Sequence, residues 1–212
     1  MSARPKTQKT QRQKTRIEDI RRVELIDAAH RIFLREGLKG LTTTRICAEA
    51  GMSQGILTYY FRDKEEVLFE MVRMNNRLLA DEIVAHLRAA RNGWERLIAL
   101  IDGNFPAAHY DRPTARAWIS LYAEAAHNER YARLIRPYYR RLRSNIAAIL
   151  KPVLATDEID HFVRGFAAMI DGLWLRRGHS ETDMWLDEAK CLLVEYVEKM
   201  LGKEVVATLK AG

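Results

Sequence analysis

Residues 42–64, Thr-Thr-Thr-Arg-Ile-Cys-Ala-Glu-Ala-Gly-Met-Ser-Gln-Gly-Ile-Leu-Thr-Tyr-Tyr-Phe-Arg-Asp-Lys, constrain this chain more than any other stretch. They read as two short helices joined by a tight turn. A hydroxyl at Thr42 or Thr43 is placed to accept an orphan amide and cap the first helix. Ile46 and Ala50, four apart, form one apolar stripe on it. Gly51 follows, where the chain needs a left-handed residue to leave the helix. Ser53 stands at the start of the second helix, which runs to about Phe61, with Leu57 and Phe61 inward. Gly55 and Tyr59 lie on the opposite side, flanked by Thr58, with Gln54 in the first turn. A helix this short does not persist alone in water, so a partner must hold it and its outer face is left for another purpose. That layout is a helix-turn-helix, whose second helix enters the DNA major groove.

The neighbouring residues strengthen the reading. Ile26, Ala29 and Phe33 recur at helical spacing between Val23 and Glu36 and supply the partner helix. Asp63 with Glu66 three residues later is a capping-box pattern that opens another helix. Lys64 and the free amides of that helix start are placed to meet a phosphate.

Residues from about 20 to 66 resemble the DNA-binding domain of the TetR family of repressors. Gly51, Phe61 and Lys64 match the family pattern of a turn glycine and an aromatic run followed by lysine. Cys47 stands where the family has alanine and, being small, packs as a hydrophobe. Thr58 stands where tyrosine is usual, which removes one phosphate contact and leaves Tyr59 and Tyr60 to replace it. The DNA-contacting set that the resemblance implies is Thr43, Thr44, Arg45, Gln54, Gly55, Thr58, Tyr59, Tyr60 and Lys64, with double-stranded operator DNA as the partner.

The charge distribution agrees. Residues 1–66 hold 14 Lys/Arg against 9 Asp/Glu, while the remaining residues hold 21 against 19, so the basic excess sits at the helix-turn-helix end. Residues 1–16 carry six Lys/Arg and no acid. They read as a disordered basic arm, solvated when alone and able to follow the DNA backbone or minor groove. Hydrophobic content of 48% and only five prolines call for a folded globule. Cys47 and Cys191 form no CxxC and suggest reduced core thiols in a cytoplasmic protein. No apolar run reaches the ~18 residues of a membrane span, and the N-terminus lacks the apolar core of a signal peptide.

Beyond the first domain the periodicity predicts helices over about 63–90, 94–105, 114–127, 128–150, 157–177 and 182–201. The first keeps an apolar face at Leu68, Met71, Leu78 (with Leu79) and Ile83. Pro137 either kinks the fourth or marks a restart. Arg133, Arg136, Arg140 and Arg143 recur on that helix's polar side, a solvated face or a second nucleic-acid surface. The last two helices have apolar faces wider than a surface helix needs, which suits an intermolecular four-helix bundle with Val197 among its interface positions. The expected fold is all-α: a basic arm (1–16), a three-helix DNA-binding domain (17–66) and a six-helix ligand-binding and dimerisation bundle (67–212), working as a homodimer.

An enzyme reading has little support. His30, His86, His109, His127, His161 and His179 include no HxxxH pair. His127-Asn128-Glu129 matches half of a zinc deaminase signature whose P-C-x-x-C half is absent. No catalytic, metal-binding or cofactor-binding set emerges. Phe105, Tyr110, Trp118, Tyr122 and Trp174 are spread over three predicted helices of the bundle, and Asp171 lies three residues from Trp174. Two readings stand: aromatics at helical spacing are core, or they form a box for a quaternary ammonium with the carboxylate balancing its charge.

A second resemblance bears on that choice. Gly103-Asn104-Phe105, Ala117-Trp118 with His127, Arg140-Arg141-Leu142-x-Ser144-Asn145 and Ala167-Ala168-Met169-Ile170-Asp171-Gly172-Leu173-Trp174-Leu175-Arg176 are similar to the BetI type of the TetR family. The basic tail is not part of the likeness. Those proteins are choline-responsive repressors of glycine-betaine synthesis. The resemblance implies a repressor relieved by choline or a related amine, with Phe105, Tyr110, Trp118, Tyr122, Asp171 and Trp174 as effector contacts. The alternatives are a TetR-like regulator with another effector, a sequence-indifferent architectural DNA-binding protein, and an amine-processing enzyme.

Overall fold

The computed structural model describes residues 6–179 and 184–212, with side chains from Ile17 onward. Among these residues the chain forms nine α-helices: α1 Lys6–Glu36, α2 Thr43–Ala50, α3 Gln54–Tyr60, α4 Lys64–Ala89, α5 Gly93–Asn104, α6 Arg112–Ala125, α7 Glu129–Leu150, α8 Thr156–Gly178 and α9 Leu186–Ala211. It divides into two compact units, Met1–Arg73 and Met74–Gly212, and α4 contributes to both.

In the first unit α1 packs on α2, and α2 on α3. Ala29, Ile32 and Phe33 of α1 are fully buried, as is Ile46 of α2, and Leu57 and Phe61 are almost so. The start of α4 adds Val67, Leu68, Met71 and Val72 to the buried set. The helix starts and stops are written locally. Thr42 Oγ1 accepts from Arg45 N at 3.3 Å and caps α2. Gly51 ends it at φ 66°, with Met52 N donating to Cys47 O at 2.8 Å, the Schellman arrangement. Asp63 Oδ1 accepts from Glu66 N while the Glu66 carboxylate reaches back to Arg62 N, each at 2.8 Å, so the acids of the Asp63–Glu66 pattern do cap α4. Outside this core, Arg31 and Arg35 of α1 grip Glu49 of α2 at 2.8 and 3.2 Å and hold its carboxyl below the usual range.

The expected basic arm is met differently. α1 begins at Lys6, so part of the stretch read as unstructured continues the partner helix. From Lys6 to Glu36 the chain has no Gly or Pro and is rich in Lys, Arg, Gln and Glu, all strong helix formers. Residues 1–5 lie outside the described residues.

In the second unit α5 packs on α7 and α9, α6 on α7 and α8, and α8 on α7 and α9. Leu97, Leu100, Ile146, Phe166, Leu193 and Val197 are fully buried in its core. Side-chain caps open α5, α6 and α7, with Asn92, Asp111 and Asn128 accepting from Glu95, Thr114 and Arg130 amides at 2.8, 2.7 and 3.0 Å. Tight helix approaches depend on absent side chains: a Cβ at Gly165 of α8 would lie 1.8 Å from the Tyr196 hydroxyl of α9.

α7 runs through Pro137 as one helix, so the proline marks no restart. α9 continues to Ala211 across Gly202, whose φ of 76° interrupts the helical backbone at the point where the periodicity suggested an end. On α4 it is Leu79 that turns inward, whereas Leu78 is 61% exposed. Val197, taken as an interface position, is core. The arginine stripe of α7 is a solvated, largely paired face: Arg133 and Arg136 meet Glu129, and Arg143 meets Asp160 at 2.6 Å.

Candidate DNA-binding face and effector site

The expected DNA contacts fall on the starts of α2 and α4 and the outer face of α3. Thr44, Arg45, Gln54, Gly55, Thr58, Tyr59 and Lys64 are exposed, and Thr43 and Tyr60 are half-buried. The structure brings two of the three segments into direct contact: Gln54 Nε2 donates to Thr44 Oγ1 at 3.0 Å, tying the first turn of α3 to that of α2. Arg45 is paired with Glu36 of α1. Thr58 donates back to Gly55 O at 3.1 Å, a use of the hydroxyl within its own helix. Tyr59 is 67% exposed, stands edge-on to Tyr60, and donates its hydroxyl to Glu18 Oε1 at 3.2 Å. That contact was invisible in the sequence because it depends on α1 extending back past Val23.

The six expected effector residues separate into two groups. Phe105, Tyr110 and Trp174 form a stack, with Phe105 parallel to Trp174 at 6.2 Å and Tyr110 edge-on to both at 5.5 and 4.9 Å. The Trp174 indole N–H donates to the main-chain oxygen of Asn104 at 3.1 Å. Burial pushes the Tyr110 phenol up to about 12. Phe105 and Tyr110 are buried, so this group is packed as core on most sides.

Tyr122 and Asp171 belong to the second group, joined by a residue the sequence reading missed. Tyr139 donates to Asp171 Oδ2 at 2.6 Å, and the Tyr122 phenol is near enough for its electrostatics to be felt by both. Burial pushes the Tyr122 phenol up to about 12, and that of Tyr139 well above its ordinary value. Asp171 is raised above the ordinary 3.8 by burial, against the opposing hydrogen bond from Tyr139. Tyr122 still leaves 37% of its surface exposed, so the group is reachable from outside. Trp118 lies half-buried one turn before Tyr122 on α6.

Asn104 and Tyr138 stand between the two groups. Tyr138 is edge-on to Tyr139 at 5.0 Å and donates to Asn104 Oδ1 at 2.6 Å, while Asn104 Nδ2 donates to Leu100 O at 2.7 Å. The available signal was the Tyr138-Tyr139 pair itself: adjacent helical residues point about 100° apart, so one such pair serves two sites. Among the described residues no three His, Cys, Asp or Glu side chains cluster as metal ligands would.

Comparison with known proteins gives the family. Residues 25–71 match the model of bacterial regulatory proteins of the tetR family, and residues 94–202 match that of the BetI-type transcriptional repressor, C-terminal. The chain is 35% identical over 188 residues to the HTH-type transcriptional regulator BetI of Rhizobium meliloti (strain 1021), covering 89% of this chain and 93% of the relative. The chain belongs to the TetR family, in its BetI-type branch. A second BetI, from Vibrio parahaemolyticus, is 33% identical over 190 residues, covering 89% and 96%. The fold of this TetR-family repressor is shared with a transcriptional regulator from Saccharomonospora viridis in complex with choline, at a TM-score of 0.72 and 24% identity, covering 84% of this chain and 95% of that one. The BetI-type repressor is a regulator of transcription and not an enzyme. No helix among its described residues is long and apolar enough to cross a membrane.

Proposed function

We propose that this BetI-type repressor is a cytoplasmic homodimer that holds operator DNA through α2, α3 and the start of α4, and releases it on binding choline or a related quaternary amine. The observation that carries the effector reading is the environment of Asp171. It is a half-buried carboxylate whose hydrogen bond comes from Tyr139, and among the described residues no Lys or Arg is paired with it. An uncompensated charge in such a place is costly, and a cation removes the cost. Tyrosine faces attract a trimethylammonium, which leaves water more readily than a bare ammonium does. Tyr122 and Tyr139, with Trp118 one turn from Tyr122, are therefore the proposed cation contacts, and Phe105, Tyr110 and Trp174 are a supporting wall. The choline bound by the Saccharomonospora viridis protein is consistent with a fold able to take this ligand.

Exposed apolar residues on the last two helices, Leu175 at 45% and Met200 at 42%, favour those helices as the subunit interface. Calorimetry with choline, betaine aldehyde and glycine betaine, with and without operator DNA, tests the whole reading. Binding that weakens when DNA is present is the expected result, since coupling between the two sites is reciprocal. No heat from any of the three ligands would remove the effector, and equal affinity in both conditions would remove the switch.

A further inference from the structure

Besides the Asp171 group, the second unit contains a cavity of about 90 Å³ between α4, α5 and α7. Leu79, Ile83 and Val84 of α4, Leu100 of α5 and Leu142 of α7 give it an apolar body. Its polar groups are Asn104, Tyr138, Arg141 and Asn145. The residues at 138, 141, 142 and 145 have the helical spacing that puts them on one face of α7. Asn104 and Tyr138 already satisfy each other, as described above. Arg141 and Asn145 do not: among the described residues Arg141 has no carboxylate partner, and the cavity wall contains no acid. A guanidinium offers five donors in a fork matched to a carboxylate, and a neighbouring amide adds another.

We propose that this cavity is an anion subsite that takes a short-chain carboxylate, its head on Arg141 and Asn145 and its alkyl body against α4. Size sets the class. A single enclosed water needs roughly 10–15 Å³, so the cavity suits a body of roughly six heavy atoms. The sign of the charge separates it from the Asp171 group, which is built for a cation. Because α4 runs unbroken from Lys64 to Ala89, a carboxylate here touches the same helix whose first residue belongs to the DNA-binding face. This subsite does not depend on the choline reading, although an effector with both charges would find both sign preferences in one unit.

The test is calorimetry on the full chain with butyrate and, as its neutral counterpart, butyramide. Butyrate is expected to bind and butyramide to bind at least tenfold more weakly, the worth of a charge-assisted pair. Arg141→Gln should weaken butyrate about tenfold or more and leave the heat of choline binding unchanged, which also reports that the variant is folded. Val84→Trp, which fills the cavity from α4, should abolish butyrate binding in a protein with wild-type helicity. The proposal is overturned by an absence of butyrate binding, by equal affinity for butyramide, or by Arg141→Gln binding butyrate as the wild type does. Butyrate binding with no choline binding would overturn the choline reading alone.

Discussion

Asp171 and Lys64 show how much the neighbours of a single charge decide. Asp171 is raised by burial, so the folded protein holds its proton to higher pH than the unfolded chain does. Its ionisation therefore costs stability as pH rises through that window, and a bound cation returns the loss. Choline affinity is expected to climb as pH rises through a value above 3.8 and then to level off. Asp171→Asn should flatten that pH profile and weaken choline about tenfold or more at neutral pH, which calorimetry across pH reads directly. A profile unchanged in the Asn variant would show that another group carries the cation. Lys64 is the opposite case, an exposed cation at a helix start. Lys64→Ala should weaken binding to all DNA sequences alike and reduce the salt slope by about one unit. Gln54→Ala should instead relax preference at one base step, at ~1–3 kcal/mol, and also frees Thr44 from its bond to Gln54. Salt-titrated binding to operator and to scrambled DNA separates the two effects.

Between elements, contact is set by what the side chains leave room for. Gly165 of α8 lets the ring of Tyr196 on α9 lie directly on the helix backbone. Adding one methyl group there drives it into the phenol, an overpacking that costs about 1–3 kcal/mol. Gly165→Ala should lower the thermal midpoint, and Tyr196→Phe should restore part of the loss because the hydroxyl is the closest atom. Two independent, additive effects in that double-mutant cycle would show that the two residues do not meet. α7 makes a related point. Its outward Arg133, Arg136 and Arg143 are paired and solvated, while the adjacent Tyr138 and Tyr139 bridge Asn104 on α5 and Asp171 on α8. The hydrogen bonds that helix makes to α5 and α8 come from this side, not from the charge stripe.

At the scale of the molecule, the proposed dimer requires the second unit to keep its own core while offering a face to a second copy. Val197 is fully buried, so Val197→Glu tests folding and not assembly. Leu175→Glu and Met200→Glu are the better probes, because both side chains are exposed in the single chain. Each is expected to shift the protein from dimer to monomer in light scattering while leaving helicity intact, and operator affinity should fall with it, since two recognition helices are needed for two half-sites. A dimer that survives both changes would place the interface elsewhere.

The helix-turn-helix was legible because everything that defines it is local. Thr42 caps within three residues, Gly51 terminates at positive φ, and Ile46, Leu57 and Phe61 recur at helical spacing, so short windows of sequence hold the whole pattern. The order of the nine helices among the described residues followed for the same reason, and family resemblance supplied the chemistry that periodicity does not hold. What the amino-acid pattern left open is partnership. Spacing told that Tyr122 and Asp171 were on helical faces, but only packing set Tyr139 against Asp171 and stacked Phe105, Tyr110 and Trp174 together. It likewise could not choose between Leu78 and Leu79, or between core and interface for Val197, because an apolar stripe is a direction on one helix. Which neighbour covers it depends on contacts between residues tens of positions apart, and those are settled by mutual burial in the folded unit.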